Sequence, residues 1–326
     1  MKAIVYHNYG SPDVLKLEEV QKPTPADNQL LIKVYAVSVN RSDWEGLIGK
    51  PLYARIGGLR KPSNRILGSD IAGTVEAVGK DVKQFKPGDE VFGLMLNYGG
   101  GFAEYACMSE GALALKPAGM TFEEAAAIPQ AAFIALQGIR DKGQVQPGQK
   151  VLINGGGGGA GTFAVQLAKL AGAEVTGVDN TEKLELMQSL GADHVIDYTK
   201  EDFTKNGQQY DLILDVIAHR SVFAYKRALR PNGSYFMAGG SVATMFQMLL
   251  LGPWIRRTTG KKIRLLLVQT DPKDLVYITE LIESGKVVTV IDKQYPLSEA
   301  AEALRYLGEG HAKGKVVITV EQNNKI

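Results

Sequence analysis

The residues with the clearest chemical meaning form a glycine run between an apolar segment and an alanine-rich one. Lys150-Val151-Leu152-Ile153-Asn154 leads into Gly155 to Gly159, then Ala160 and Gly161, then Thr162 to Ala168. Gly156, Gly158 and Gly161 satisfy G-x-G-x-x-G in the context where that spacing has physical force, after a strand and at the start of a helix. Glycine lets the chain turn tightly and lets backbone approach a pyrophosphate, while the helix offers unpaired N–H groups and the positive end of its dipole. A run of five glycines also reads as a flexible turn; the context favours a phosphate cradle over Gly156, Gly157, Gly158, Gly159, Ala160 and Gly161. Asp179 closes the next apolar segment, 179 − 156 = 23 positions on, near the roughly 20 expected of a ribose-binding carboxylate. A carboxylate there accepts from ribose hydroxyls and repels a 2′-phosphate, which leans to NADH. The alternative for Asp179 is a helix N-cap, in competition with Asn180 and Thr181. Lys183 and Tyr198 can instead surround a 2′-phosphate, and Lys183 reads equally as a solvated helix charge. NADH against NADPH therefore stays open.

Other constellations are poor. His7, His194, His219 and His311 lie far apart, no H-E-x-x-H occurs, and no serine sits in a nucleophile elbow. His194 reads as the start of a strand. Tyr53 and Tyr98 are loop hydroxyls that can donate a proton, competing with the ordinary fate of loop tyrosines. Cys107 is the single cysteine, which excludes an intrachain disulfide and any zinc site built on two or four thiolates, but not one built from His and carboxylates. With 37 Lys and Arg against 35 Asp and Glu, the net charge of +2 supplies no field for a nucleic-acid backbone.

The chain has 326 residues, enough for about two domains with sizeable cores. Met1 to Tyr6 begins at once with strand-like residues, so no leader is expected. Met245 to Trp254 is too short to span a bilayer and contains Gly252 and Pro253. Arg256-Arg257 and Lys261-Lys262 after it can touch an anionic membrane surface, against which a buried flap or subunit contact is the preferred reading. The expectation is a cytoplasmic protein with no integral membrane segment.

The positions of these residues depend on the elements around them. The first third reads as short strands, including Leu30 to Val34, Ile71 to Val78 and Glu90 to Gly93, with turns such as Lys86-Pro87-Gly88-Asp89. That pattern predicts a mostly antiparallel barrel. From about residue 122 the rhythm changes to a helix over Glu123 to Ile139 and then alternates. Strands are predicted at Lys150 to Ile153, Glu174 to Val178, His194 to Asp197, Asp211 to Val216, Ser234 to Ala238 and Ile263 to Val268. Helices fall between them at Phe163 to Leu170, Glu182 to Leu190 and Ser221 to Leu229. Such alternation implies a parallel, doubly wound sheet. In the tail, Val287 to Ile291 and Val316 to Val320 flank a helix over Ser298 to Leu307 and are placed as strands completing the first barrel. The expected domains are 1–122 with 286–326, and 123–285.

Several motifs in order resemble the medium-chain dehydrogenase/reductase superfamily, and within it the zinc-independent quinone oxidoreductase-like branch. They are Gly10-Ser11-Pro12-Asp13-Val14-Leu15, Leu67-Gly68-Ser69-Asp70-Ile71-Ala72-Gly73-Thr74-Val75, Phe85 to Gly93, and Gly308 to Val317. The resemblance implies an α/β protein in which a chaperonin-10-like β-barrel carries an inserted Rossmann domain with a doubly wound parallel sheet. Zinc members place a catalytic cysteine where this chain has Asn40 and a His-Glu pair where it has Ser69-Asp70, and the lobe of structural cysteines is missing. A soft Lewis acid thus has no evident ligands, which leaves hydride transfer to an acceptor that stabilises its own charge.

By the same resemblance, Asn40-Arg41-Ser42-Asp43 lines the nicotinamide pocket. Asn40 then orients an acceptor oxygen or the carboxamide, and Asp43 holds the local hydrogen-bond network; a structural turn is the alternative for both. A family tyrosine two positions after the aspartate is replaced by Glu45, beside Trp44, and the Gly-Leu-Thr-Ala stretch after Pro129 reads Ala132-Phe133-Ile134-Ala135. The resemblance also assigns Gly157 to Gly161 to the pyrophosphate, Tyr198 to the adenosine end, Ile217 to the adenine rim, and Met237, Ala238, Gly239 and Gly240 to the nicotinamide. Lys315 is assigned to the cofactor phosphates, with surface solvation as its commoner fate and packing as the alternative for Ile217 and Met237. The implied activity is NAD(P)H-dependent hydride transfer to a quinone or conjugated carbonyl. The alternatives are an alkenal/enone reductase and, from another class, a dinucleotide-dependent sensing module. A homodimer is the default assembly.

Overall fold

A computed structural model describes residues 1–55, 58–95 and 99–321. It has two compact units: Met1–Gln130 with Thr270–Glu283 and Thr289–Ile326, and Ala131–Gln269 with Ser284–Val288.

In the first unit, β1 (Lys2–Val5) and β2 (Lys16–Glu19) form an antiparallel hairpin. The main sheet uses β3 (Gln29–Val39), β4 (Asp70–Val78), β5 (Glu90–Leu94), β6 (Tyr105–Ser109) and β7 (Leu113–Leu115). β3 pairs antiparallel with both β4 and β6, and its long apolar run makes it the spine of the core. Leu30, Ile32, Val34, Val37 and Val39 are buried there with Ile71, Val75 and Val91, β-branched and aliphatic side chains that suit a packed pleat. After β3 the chain turns into α1 (Arg41–Ile48), which Gly49 ends in the left-handed conformation at φ 62°.

The helix expected over Glu123 to Ile139 is divided. α2 (Phe122–Ala126) starts at Thr121, whose hydroxyl accepts from the Glu124 N–H. α3 (Pro129–Leu136) follows and continues as one wider turn over Gln137–Asp141. Pro129 supplies the reason for the break, because its ring pushes the preceding residue out of the helical region.

The second unit alternates as predicted. β8 (Lys150–Asn154), α4 (Gly159–Leu170), β9 (Glu174–Asp179), α5 (Leu184–Ser189), β10 (His194–Asp197), β11 (Tyr210–Asp215), α6 (Val222–Ala228), β12 (Leu229–Met237), α7 (Val242–Thr259) and β13 (Lys262–Leu265) follow one another. They build a six-stranded parallel sheet in the order β10-β9-β8-β11-β12-β13. Because the chain winds outward from β8 in one direction and from β11 in the other, the switch point lies between these two strands. Ligands of open α/β sheets bind beyond the strands' carboxyl ends at such a point.

α8 (Pro272–Glu283) and the tail return to the first unit. The strand expected at Val287 to Ile291 lies later, as β14 (Ile291–Pro296). The Val288 backbone is already engaged, since its N–H donates to Gln166 Oε1 at 2.7 Å and its carbonyl accepts from Gln166 Nε2 at 3.0 Å. α9 (Ala300–Gly308) leads to β15 (Lys315–Thr319), which pairs parallel with β14 and antiparallel with β3. The resulting seven-stranded sheet therefore draws strands from both sides of the inserted parallel-sheet unit, as the discontinuous barrel requires.

Gly308, in α9, lies against α1: a Cβ built on it falls 2.3–2.5 Å from three Trp44 ring atoms. Alanine ordinarily favours a helix by about 1 kcal/mol over glycine, but overpacking costs about 1–3 kcal/mol. Gly308→Ala is therefore expected to lower the melting temperature, whereas Gly111→Ala, which meets nothing within 4 Å, leaves it nearly unchanged. An equal melting temperature for both variants would show that the Trp44 contact yields without strain.

Candidate active site

The glycine loop has the geometry its spacing predicts. Gly155 turns at φ 85°, and the N–H groups of Gly155 and Gly156 both donate to the Val178 carbonyl, at 2.9 and 3.1 Å. α4 starts after Gly158, which provides no capping side chain. The backbone N–H groups of Gly159, Ala160 and Gly161 have no acceptor among the described residues. Three free amides at the start of a twelve-residue helix fit an anionic phosphate group. Gly161 approaches most closely, since an added Cβ would lie 2.0 Å from the Gly155 carbonyl oxygen.

Asp179 and Lys183 belong to the same loop. Asp179 is buried; its Oδ2 accepts from Gly157 N–H at 3.0 Å and its Oδ1 from Asn180 N–H at 2.9 Å. It does not cap the following turn, whose first flanking residue is Asn180. Lys183 is 7% exposed, which corrects its reading as a solvated charge. Its Nζ lies 3.6 Å from Asp179 Oδ1, and its stem lies so close to Gly157 that an added Cβ there would meet Lys183 Cβ at 2.6 Å. The glycine loop is thus the lid over a buried ion pair. Tyr198 stands one residue beyond β10, half-exposed, with its N–H donated to the Asp179 carbonyl at 3.1 Å.

Across the switch point, the strand ends are joined by a carboxylate the sequence reading did not single out. Asp215, fully buried at the end of β11, accepts from Asn154 Nδ2 at 2.8 Å, Tyr235 OH at 2.9 Å and the Ile217 N–H at 3.1 Å. Burial pushes its pKa up, against those three donors. The signal for it was its place as the last residue of a parallel strand beside the glycine loop. Ile217 is half-exposed, Met237 ends β12 and is buried, and Ala238 N–H donates to the Asp215 carbonyl at 2.8 Å. Ala218 N–H donates to Gly239 O, and a Cβ on Gly240, at φ 137°, would lie 2.1 Å from the Ala218 carbonyl. Gly156 to Gly161, Asp179, Lys183, Tyr198, Ile217 and Met237 to Gly240 are therefore gathered at one edge of the sheet.

The remaining predicted site residues form a separate group in the first unit. Asn40, Asp43, Ser69, Asp70 and Lys315 are all buried. Asp70 Oδ2 accepts from Asn40 Nδ2 at 2.9 Å and Ser38 Oγ at 3.0 Å, and lies 3.4 Å from Lys315 Nζ; its Oδ1 accepts from Gln130 N–H at 3.1 Å. Asn40 Nδ2 also reaches Ser69 Oγ at 3.3 Å, and Lys315 Nζ donates to Asn40 Oδ1 at 2.6 Å. Both Asn40 donor hydrogens are thereby engaged. Lys315 is 2% exposed, so the solvated alternative fails. Desolvation pulls its pKa down while Asp70 opposes the shift. Asp43 accepts from Asn40 N–H at 2.8 Å and Gly68 N–H at 3.0 Å, and burial pushes its pKa up to about 7 against these donors.

The weaker candidates have ordinary local partners. His7 meets Glu18, His194 meets Glu174 and His311 meets Glu309, while His219 lies 3.0 Å from the Ile217 carbonyl. Tyr53 OH donates to Glu45 at 3.2 Å, and Tyr98 lies outside the described residues. No group of three or more His, Cys, Asp or Glu among the described residues is placed to hold a metal.

Comparison with known proteins decides the family. A model described as an alcohol dehydrogenase GroES-like domain matches residues 26–118, and one described as a zinc-binding dehydrogenase matches residues 190–318. The 2-methylene-furan-3-one reductase of Solanum lycopersicum is 36% identical over 330 residues, covering 98% of this chain and 79% of its own. Quinone-oxidoreductase QR1, chloroplastic, of Triphysaria versicolor is 33% identical, covering 98% of both. The chain belongs to the medium-chain dehydrogenase/reductase superfamily, in its zinc-independent quinone oxidoreductase-like branch. The solved quinone oxidoreductase from Coxiella burnetii superposes with a TM-score of 0.90 at 30% identity, over 98% of this chain and 99% of that one. As a member of this branch the chain is an oxidoreductase that uses NAD(P)H.

Two outcomes follow from this geometry. Gly161→Ala should weaken NADPH and NADH binding at least tenfold in a fluorescence titration, because the loop must move to admit the methyl group; wild-type affinity would show that the close approach is dispensable. Asp43 holds a proton in the folded state that the unfolded chain releases, so its contribution to stability is present at low pH and is lost as pH rises from about 4 to about 7. Urea denaturation between pH 5 and 8 should show that loss, at up to about 1.4 kcal/mol per pH unit, in wild type but not in Asp43→Asn. Parallel stability curves for the two proteins would mean that Asp43 stays ionised.

Proposed function

We propose that the protein transfers hydride from NAD(P)H to a quinone or a conjugated carbonyl, without zinc. The observation that carries this reading is the pairing of a dinucleotide cradle, with free amides at Gly159 to Gly161, with a buried Asn40–Asp70–Lys315 network where zinc relatives keep metal ligands. Bound NAD(P)H supplies the hydride. Gly156, Gly157, Gly158, Gly159, Ala160 and Gly161 hold its pyrophosphate, and Asp179, Lys183 and Tyr198 surround the adenosine ribose. Ile217, Met237, Ala238, Gly239 and Gly240 line the rest of the cofactor, and Lys315 is the residue proposed for its phosphates. Asn40, whose two amide hydrogens are held by Ser69 and Asp70, orients the carboxamide of the cofactor through the second lone pair of its Oδ1, and Asp43 fixes Asn40 by accepting its backbone N–H. Catalysis on this reading rests mainly on positioning and on a site that keeps water out. The functional division follows 1–122 with 286–326 for the catalytic barrel and 123–285 for the dinucleotide domain.

An enone reductase is the second reading, favoured by the reductase of a methylene-furanone at 36% identity. A dinucleotide-dependent sensing module, a third, would bind cofactor tightly without turnover. Steady-state oxidation of NADH and NADPH with a simple quinone and a simple enone separates the three; no oxidation with either acceptor removes both enzymatic readings. No helix among the described residues is long and apolar enough to cross a membrane. A cytoplasmic homodimer is the assembly proposed, and light scattering tests its mass.

Cofactor preference gives a sharper test of the site. Asp179→Ala should weaken NADH several-fold and shift relative preference to NADPH, whereas Lys183→Ala should shift it the other way. Affinities unchanged for both cofactors in Asp179→Ala would remove that residue from the site.

A further inference from the structure

Asp197 stands beside the adenosine cluster with no role yet assigned to it. It ends β10, opposite Asp179 of β9 in the sheet register, and is 7% exposed. Its Oδ2 accepts from the hydroxyl of Thr181, in the turn Thr181–Lys183, and lies 3.2 Å from Lys200 Nζ. Its Oδ1 accepts from the Thr199 N–H at 3.0 Å and the Thr199 hydroxyl at 2.7 Å. The Thr181 hydroxyl first, and the Thr199 hydroxyl after it, hold the Asp197 pKa well below the usual carboxylate range. The group is therefore an anion that only accepts.

These contacts join two segments of chain. Thr181 opens the turn that ends at Lys183, and Thr199 directly follows Tyr198. Lys183 and Tyr198, the two residues proposed to flank a 2′-phosphate, thus sit on segments fastened to a single carboxylate. The bonds to Thr199 make an ordinary local turn. Among the described residues, the bond to Thr181 is the one contact of the Asp197 carboxylate that leaves the exit of β10. It acts together with Gly157, packed on the Lys183 stem, and with the Asp179 carbonyl, which accepts from the Tyr198 N–H at 3.1 Å.

We infer that Asp197 is a positioning residue for cofactor preference: through the Thr181 hydroxyl it holds the Thr181–Lys183 turn against the exit of β10 and keeps Lys183 and Tyr198 at the spacing that a ribose 2′-phosphate requires. The inference rests on the assignment of the adenosine ribose to this cluster under the proposed function. A charge-assisted hydrogen bond from a loop to a buried carboxylate gives the loop one arrangement, which is what a binding side chain needs from its support. A purely electrostatic role for Asp197 has the opposite sign, because an anion near the site repels a 2′-phosphate.

The test is calorimetric titration of the full chain with adenosine 2′,5′-bisphosphate and with adenosine 5′-monophosphate, which differ only in the 2′-phosphate. Thr181 is exposed, so its variants are expected to fold. Thr181→Val removes the hydroxyl while keeping shape and charge, and Thr181→Ser restores the donor. Thr181→Val should weaken the bisphosphate at least about fivefold and the monophosphate less than about twofold, part of the worth of a hydrogen bond to a charged group. Thr181→Ser should bind both as wild type does, and Asp197→Asn should weaken the bisphosphate as Thr181→Val does. Equal weakening of both nucleotides in Thr181→Val, or no weakening, overturns the proposal and leaves the bond a structural brace. Tighter bisphosphate binding by Asp197→Asn overturns it in favour of plain repulsion. Wild-type protein that binds neither nucleotide removes the adenosine assignment and this inference together. Where wild type binds both and Thr181→Val shows no split between them, the assignment stands and only the role of Asp197 falls.

Discussion

A carboxylate sealed away from water has to be answered by donors or a cation, and the first unit is arranged around that demand at Asp70. Stranding one ion of a buried pair costs about 3–5 kcal/mol. Asp70 has four partners from distant parts of the chain: Ser38 at the end of β3, Asn40 after it, the backbone of Gln130, and Lys315 at the start of β15. The sheet register brings them together, since Ser38 pairs with Asp70 across β3 and β4 while Val316 pairs with Val39 across β15 and β3. The C-terminal strand is therefore an electrostatic part of the barrel as well as a packing part. That explains how the sheet tolerates an insertion of more than a hundred residues: its closing strand carries the cation that the earlier strands need.

The parallel-sheet unit meets the same demand twice, with different results. Asp215 is answered wholly by neutral donors, Asn154 Nδ2, Tyr235 OH and the Ile217 N–H, so it ties the ends of β8, β11 and β12 without bringing in a charge. Asp179 is answered by the Gly157 and Asn180 amides and by Lys183. Both carboxylates stand at the carboxyl ends of strands, where parallel packing leaves backbone donors unpaired. The first ties strands β8, β11 and β12 together at the switch point, and the second fastens the glycine loop over a lysine.

Much of this was legible in the sequence because it depends on short-range physics. The strand and helix rhythm from Lys150 onward, the Gly155 turn and the α4 start follow from period, glycine placement and strand-to-helix context. What escaped depends on contacts between distant residues. Val287 to Ile291 has the composition of a strand, but Gln166, 122 residues away from Val288, takes both backbone groups of that residue. Lys183 and Lys315 look like surface lysines in one dimension; their burial follows from Gly157 above one and from Asn40 and Asp70 around the other. Pro129 was visible, yet a steady run of alanine-rich helical residues concealed that it divides the segment in two.

The open question of NADH against NADPH has a physical cause in the same cluster. A free carboxylate at Asp179 would accept from ribose hydroxyls and repel a 2′-phosphate, but this one already accepts from Gly157 N–H and has an ammonium 3.6 Å away. At that distance an opposite charge cancels much of the repulsion felt by an incoming dianion, because the ammonium is a compact positive charge beside the carboxylate. The carboxylate in turn retains lone pairs for a hydroxyl. If the ribose sits on this cluster as proposed, discrimination rests on a small difference between two compensated arrangements rather than on one decisive charge. The pair's burial keeps that difference from being screened by salt, so on the proposed assignment of the adenosine ribose to this cluster, preference follows from how Gly157 holds Lys183 against Asp179.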